Sequence, residues 1–190
     1  MPRKPIELRW AVLGKHEKEA AYIAEIIAGW NTIEHSTYRI LGLLMRTKVD
    51  HARALLSAAV SSKVRLEIIA SVGASELKDA PALLIEFQTI IKSLASRLKA
   101  RNEYAHGLYV LNSKHQLCIL HRRYELPLHA GQMRVIYPRA LLQESGLANK
   151  VLSQSLKFYQ KLWDRLPVET QRALLKTIAP LTPPPLSSKE

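Results

Sequence analysis

A single cysteine, Cys118, occurs in 190 residues. That excludes an intramolecular disulfide framework and a cysteine-built zinc site, and it fits a reducing compartment. No apolar run approaches the ~20 residues needed to cross a bilayer; the strongest, Ala20 to Trp30, is short and carries Glu25. The N-terminal Met1-Pro2-Arg3-Lys4-Pro5 is basic, but a charged stretch follows where a secretory leader has an apolar core. The expectation is a soluble, cytoplasmic protein with no membrane partner. Also missing are a glycine-rich phosphate loop and an elbow motif that would make a nucleophile of a serine between Ser57 and Ser62. No helix-turn-helix segment with a basic recognition helix is present, so double-stranded DNA binding ranks last. Acidic residues are scarce: Asp plus Glu total 16 against 28 Lys plus Arg, a net charge of +12.

Such an excess favours contact with phosphate through counterion release from a nucleic-acid backbone. No block of five or more Lys/Arg occurs, so the charge is spread over the whole chain. At 47% hydrophobic and 23% charged residues the composition is that of a globular protein. The length suits one domain, or one domain and a tail, burying roughly 70% of its unfolded surface.

Hydrophobic periodicity predicts a long helix from Lys15 to Met45, with its apolar stripe running from Tyr22 to Leu44. A break near Arg46 to Asp50 precedes a second helix, roughly Asp50 to Ser71. Val72 to Ser75 reads as a turn, with Ser75 as N-cap. A third helix is expected from Pro81 to about Ala105, striped by Leu83, Phe87, Ile90, Leu94 and Leu98. The period then changes. Leu108 to Leu111 and Gln116 to His121 flank a polar four-residue turn and predict a β-hairpin. Arg122 to Tyr137, with Pro127 and Gly131, reads as irregular. A fourth helix follows from Pro138 to Leu166, with Gly146 as a point of interruption, and a short helix runs to Ala179 before the Pro-rich end at Thr182. The expected class is all-α, an up-and-down four-helix bundle with a β-hairpin inserted after the third long helix. Its divisions are a basic segment 1–14, a bundle 15–166 with the hairpin near 108–121, and a short helix with a disordered tail at 167–190.

The most informative stretch is Lys99-Ala100-Arg101-Asn102-Glu103-Tyr104-Ala105-His106-Gly107. Polar side chains gather there at the end of an apolar-striped helix, where a purely structural sequence needs only a cap. Asn102 and His106, four apart, share a helix face; Arg101 and His106, five apart, lie about 140° apart. The latter pair converges if the last turn unwinds toward Gly107 in a left-handed conformation. An arginine holds a phosphate bidentately, an amide fixes sugar or imidazole, and a histidine moves a proton near neutral pH. Arg46 and His51 repeat the spacing, so spacing alone does not single out the segment. Context does: Arg-Asn directly, then Ala-His-Gly, before a hairpin.

Arg101-Asn102-Glu103-Tyr104-Ala105-His106 resembles the Arg-x4–6-His motif of the HEPN superfamily, often written Arg-Asn-x-x-Ala-His, which stands late in a helix of a four-helix bundle. Only these six residues are specific; the resemblance extends over roughly residues 15 to 166. It implies a homodimer in which two motifs face one another across a cleft. It further implies metal-independent endoribonuclease activity without a cofactor, as in toxins, phage-defence systems and RNA processing. Arg101 and His106 would be the catalytic pair and Asn102 the polar helper, with RNA as substrate and an antitoxin or regulatory protein as a further partner. Other superfamily members keep the bundle as a non-catalytic dimeric scaffold that holds a nucleic acid, nucleotide or protein, and that alternative stands beside the enzyme. One toxin subgroup has a modifiable tyrosine two residues after the histidine. Here Leu108 stands there and Tyr109 comes one later, against that pairing.

Lys99, Arg97 and Arg122 are candidate nucleic-acid contacts. Glu34 and Tyr38, four apart on the first helix, are candidates to support the cleft, or else members of a partly buried network with Asn31 and His35. His115, His121 and His129, at spacings of six and eight, do not offer two metal ligands on one face, so no metal site is expected. Cys118, between Leu117 and Ile119, reads as a packed thiol rather than a nucleophile.

Overall fold

The computed structural model describes residues 9–11, 13–120 and 133–175. Its elements are β1 (Arg9–Trp10), a 3-10 turn (Leu13–Lys15), α1 (Glu17–Leu44), α2 (Val49–Ser57), α3 (Ser62–Glu76), α4 (Pro81–His106), β2 (Leu108–Leu111), β3 (Leu117–Leu120), β4 (Met133–Val135), α5 (Pro138–Asp164) and α6 (Val168–Leu175). The chain is mainly helical, with a small antiparallel sheet ordered β1-β2-β3-β4.

The end of α1 explains the first break. Arg46 adopts φ 51°, its N–H bonds the Leu43 carbonyl (3.1 Å), and the Thr47 N–H bonds the Gly42 carbonyl (2.8 Å). This is the Schellman pairing, with arginine in the left-handed place usually given to glycine. Thr47 Oγ1 and His51 Nδ1 then lie 3.1 Å apart. Arg46 and His51 are thus a helix stop and the first turn of the next helix.

The expected second helix is two helices. Α helical period does run through 50–71, but Ser61 is extended and its Oγ accepts a bond from the Val64 N–H (3.3 Å), starting α3 afresh. The expected turn at Val72–Ser75 is helix interior, so Ser75 caps nothing. Gly73 serves packing instead: a Cβ there would lie 2.1 Å from the Phe87 ring, which is buried against Phe158 (centroids 5.7 Å apart).

Side-chain bridges give the helix directions. Ser145 Oγ donates to Glu25 (3.2 Å) and Arg39 lies over the Tyr159 ring (5.6 Å), at the same offset in sequence, so α1 and α5 are parallel. Arg97 with Glu144, and Lys161 with Glu86 (2.7 Å), tie α4 antiparallel to α5. Gly146 does not interrupt α5. The main core is built from Trp30, Ile33, Ile40, Leu41, Leu56, Ile69, Phe87, Leu94 and Phe158, among others.

The hairpin forms as expected, in register Tyr109↔Ile119 and Val110↔Cys118. Asn112 Oδ1 accepts bonds from the N–H groups of Lys114 and Gln116 (2.9 Å each), and His115 takes φ 58° in that turn. His115 is a turn residue. The region read as irregular supplies β4, which pairs with β3 at Ile119↔Arg134. The short run Met133–Val135 carries a central arginine and gives no apolar alternation to read. Arg9–Trp10, in the basic N-terminal segment, adds β1 beside β2. Residues 121–132, with His121, Arg122 and His129, and residues 176–190, with the Pro-rich end, lie outside the described residues.

The sheet has two apolar faces. Leu108, Val110, Cys118, Leu120, Met133 and Val135 form one cluster. Tyr109, Leu111, Leu117, Ile119 and Ile136 turn the other way, onto Ile23 and Ile26 of α1, Tyr104 of α4 and Leu141 of α5. This second cluster lies at the bundle end where α4 finishes, and it fixes the last turn of α4.

Candidate functional site

Cross-strand partners share a sheet face, so Tyr109, Ile119 and Arg134 form one row across β2, β3 and β4. Each member of the row touches the end of α4. The Tyr109 hydroxyl donates to the Tyr104 carbonyl. Ile119 packs on Gly107, where a Cβ would lie 2.3 Å from its Cδ1. Arg134 pairs with the Glu103 carboxylate, donates to the Tyr104 hydroxyl (3.3 Å) and lies over the Tyr104 ring (5.6 Å). Burial first, then the neighbouring Tyr104 and Glu103, pushes the Tyr109 phenol up to about 12. It therefore remains a donor.

Against this backing the helix stays wound through His106. Gly107 is extended (φ −72°, ψ 151°), and its N–H bonds the Glu103 carbonyl (2.9 Å). The unwound turn and left-handed Gly107 that would let Arg101 and His106 converge are not found, because β2 begins at Leu108 and needs an extended lead-in. Arg101 and His106 thus keep their ~140° separation on the helix. His106 is exposed as the last helical residue, and Asn102 is exposed four residues before it.

Arg101 is half-buried, and its Nη1 donates to Asn102 Oδ1 (3.0 Å). Three arginines of the described residues are half-buried: Arg65, Arg97 and Arg101. Arg65 pairs with Glu34 (2.7 Å) and Arg97 with Glu144, whereas Arg101 pairs with no carboxylate. A partly desolvated guanidinium lacking a counter-charge is a place where an anion gains most. Its Nε is buried without a hydrogen-bond partner.

The remaining candidates divide. Lys99 is exposed and lines, with Asn102, a groove of about 480 Å³ between α3 and α4. The groove is walled by Leu66, Ala70, Ile91, Ala95 and Leu98, with Lys63 and Glu67 at its side. Arg97 is spent on Glu144 and on Ser96 Oγ (2.9 Å), joining α4 to α5 rather than facing solvent. Arg122 lies outside the described residues. Glu34 holds Arg65, and Tyr38 is buried in the main core, its phenol pushed up by burial and then by the Glu34 charge. None of their bonds reaches Arg101, Asn102 or His106.

Cys118 is buried, bonded to the Gln116 carbonyl (3.5 Å), and burial raises its pKa, as suits a packed thiol. Sequence reading missed Arg134, Tyr109 as a fixing group, and the groove. Only the alternation of Tyr109 with Val110 hinted at any of them. No helix among the described residues is long and apolar enough to cross a membrane. No protein-family model, curated protein or solved structure matches this chain.

Proposed function

We propose that this chain is a HEPN-like, metal-independent endoribonuclease acting as a homodimer. The observation that carries the reading is the half-buried Arg101 guanidinium, bonded to Asn102 (3.0 Å) and free of any carboxylate, five residues before an exposed histidine on the same helix. In the reaction a base takes the 2′-OH proton of the substrate. The resulting oxygen attacks the adjacent phosphorus and the 5′-oxygen leaves with a proton, giving a cyclic phosphate. His106 serves as base or acid, a contribution of about 10²–10⁴-fold. Arg101 binds the phosphate and stabilises the charge that grows on its oxygens. Asn102 orients the guanidinium. The requirement for the 2′-OH selects RNA over DNA.

Acid and base from one motif require two copies. The apolar groove between α3 and α4 supports that arrangement, because it reaches Asn102 and its Ala70 and Ala95 leave room for a close helix approach. We match the superfamily's four helices to α1, the broken pair α2–α3, α4 and α5; α1 and α5 run parallel, a departure from the up-and-down order, in which the first and fourth helices are antiparallel. The test is incubation of purified protein with a broad RNA pool in EDTA. Products ending in 2′,3′-cyclic phosphate support the reading; a folded dimer that leaves every RNA intact transfers it to a non-catalytic scaffold.

A further inference from the structure

No run of Lys/Arg occurs in the sequence, yet the excess charge falls unevenly on the described structure. Residues 13–80 carry nine Lys/Arg and eight Asp/Glu, whereas residues 81–120 and 133–175 together carry twelve and five. In that second set three cations are matched to carboxylates: Arg97 to Glu144, Arg134 to Glu103 and Lys161 to Glu86. Three of the cations left over, Arg139, Lys150 and Lys157, stand exposed on α5 and form no ion pair among the described residues. At about 100° per residue they fall within about 20° of one another round the helix, in a row about 27 Å long. No carboxylate of α5 opposes the row. Glu144 is turned to Arg97, and Asp164, past the end of the row, is bonded by Gln160 (2.7 Å).

The row starts at the motif end of the bundle. Arg97 meets Glu144 across the antiparallel pair of α4 and α5. One turn further along α4 and one turn back along α5 therefore bring Arg101 level with the first turn of α5, where Arg139 stands. We propose that Arg139, Lys150 and Lys157 are a track for the phosphate backbone of single-stranded RNA, leading it along α5 to the motif. Cations on one helix face neutralise successive phosphates without reading bases. Gln143 and Gln154 lie beside the row and offer amide donors to phosphate and sugar. A membrane surface fits less well, because a helix lying on lipid needs its apolar side free, and α5 packs Val151, Phe158 and Leu162 into the core. That the track leads to a cleavage site rests on the ribonuclease reading; the phosphate binding does not.

The experiment measures binding of a labelled single-stranded RNA of about twelve nucleotides by fluorescence anisotropy over a series of salt concentrations. It compares wild type, Arg139→Gln/Lys150→Gln/Lys157→Gln and Lys18→Gln/Lys48→Gln/Lys78→Gln. The second triple removes the same charge from exposed positions in the nearly neutral part of the chain. Each phosphate contact on a single strand contributes about 0.7 to the slope of log affinity against log salt. The row variant's slope therefore falls by about 2, and its affinity at about 0.1 M salt by about a hundredfold. The control triple keeps its slope within about 0.5. A row variant with the wild-type slope overturns the proposal. So does a control that loses as much as the row, since binding would then follow net charge alone. Should the row triple fail to fold, Lys150→Gln carries the test, with a slope lower by about 0.7. Phosphatidylserine vesicles that bind wild type where RNA does not would also overturn the track. RNA that binds through the row and is never cleaved removes the ribonuclease reading and leaves the track. Full-rate cleavage by a row variant of unchanged slope does the reverse.

Discussion

Gly107 and Ile119 touch so closely that a single methyl group on the glycine would lie 2.3 Å from Ile119 Cδ1 and 2.7 Å from the Glu103 carbonyl oxygen. The contact joins the end of the motif helix to β3, an inner strand of the sheet. Its requirement is space, since Gly107 has an ordinary extended backbone.

Gly107→Ala is therefore expected to destabilise the fold by about 1–3 kcal/mol, the usual cost of overpacking. Ile119→Ala in the same chain should recover part of that loss, and urea denaturation of the two singles and the double measures it. Additive losses in the double variant would mean that the two residues do not compete for one space.

The Tyr109 hydroxyl bond to the Tyr104 carbonyl fixes a pH dependence. A free tyrosine loses its proton near pH 10, whereas burial, with Tyr104 and Glu103 nearby, holds Tyr109 up to about 12. The folded state binds this proton more tightly than the unfolded one. The contribution is complete below pH ~10 and drains away as pH climbs through ~12. Relative to Tyr109→Phe, wild type should be more stable at pH 8 by about 0.5–1.5 kcal/mol and should lose that advantage between pH 10 and 12. Denaturation profiles that stay parallel across this range would contradict the assignment.

The α3–α4 groove makes a prediction about assembly. Ala95 is exposed on its wall, so Ala95→Arg should leave the helical content intact. Placed in an apolar dimer face, the same charge should convert the dimer to monomer and lower RNA cleavage by at least about tenfold. Sedimentation equilibrium and circular dichroism on both proteins measure this. A variant still dimeric and active would remove the groove from the interface.

The helices were legible where one apolar stripe ran uninterrupted, as from Tyr22 to Leu44 and from Leu83 to Leu98. They were misread where the stop depended on something other than composition. The break at Arg46 was read in its right place, but Ser61 starts α3 through one side-chain bond inside a helical period. Gly73 looked like a turn because glycine usually marks one, yet here its missing side chain admits Phe87. At the site, Arg101, Asn102 and His106 could be found from local sequence because they sit on one helix. Arg134 could not be, since only the β3–β4 register brings it to Glu103. For the same reason Arg97 looked available until α5 placed Glu144 beside it.

The central claim is that Arg101 and His106 together cleave RNA, and one assay tests it most directly. Single-turnover cleavage of a labelled RNA in EDTA is measured for wild type, Arg101→Ala and His106→Ala, each checked for an unchanged thermal midpoint. The account predicts cyclic-phosphate products from wild type, a loss of about 10²–10⁴-fold with His106→Ala and of about 10²–10³-fold with Arg101→Ala. Cleavage that survives both substitutions at the wild-type rate would contradict it.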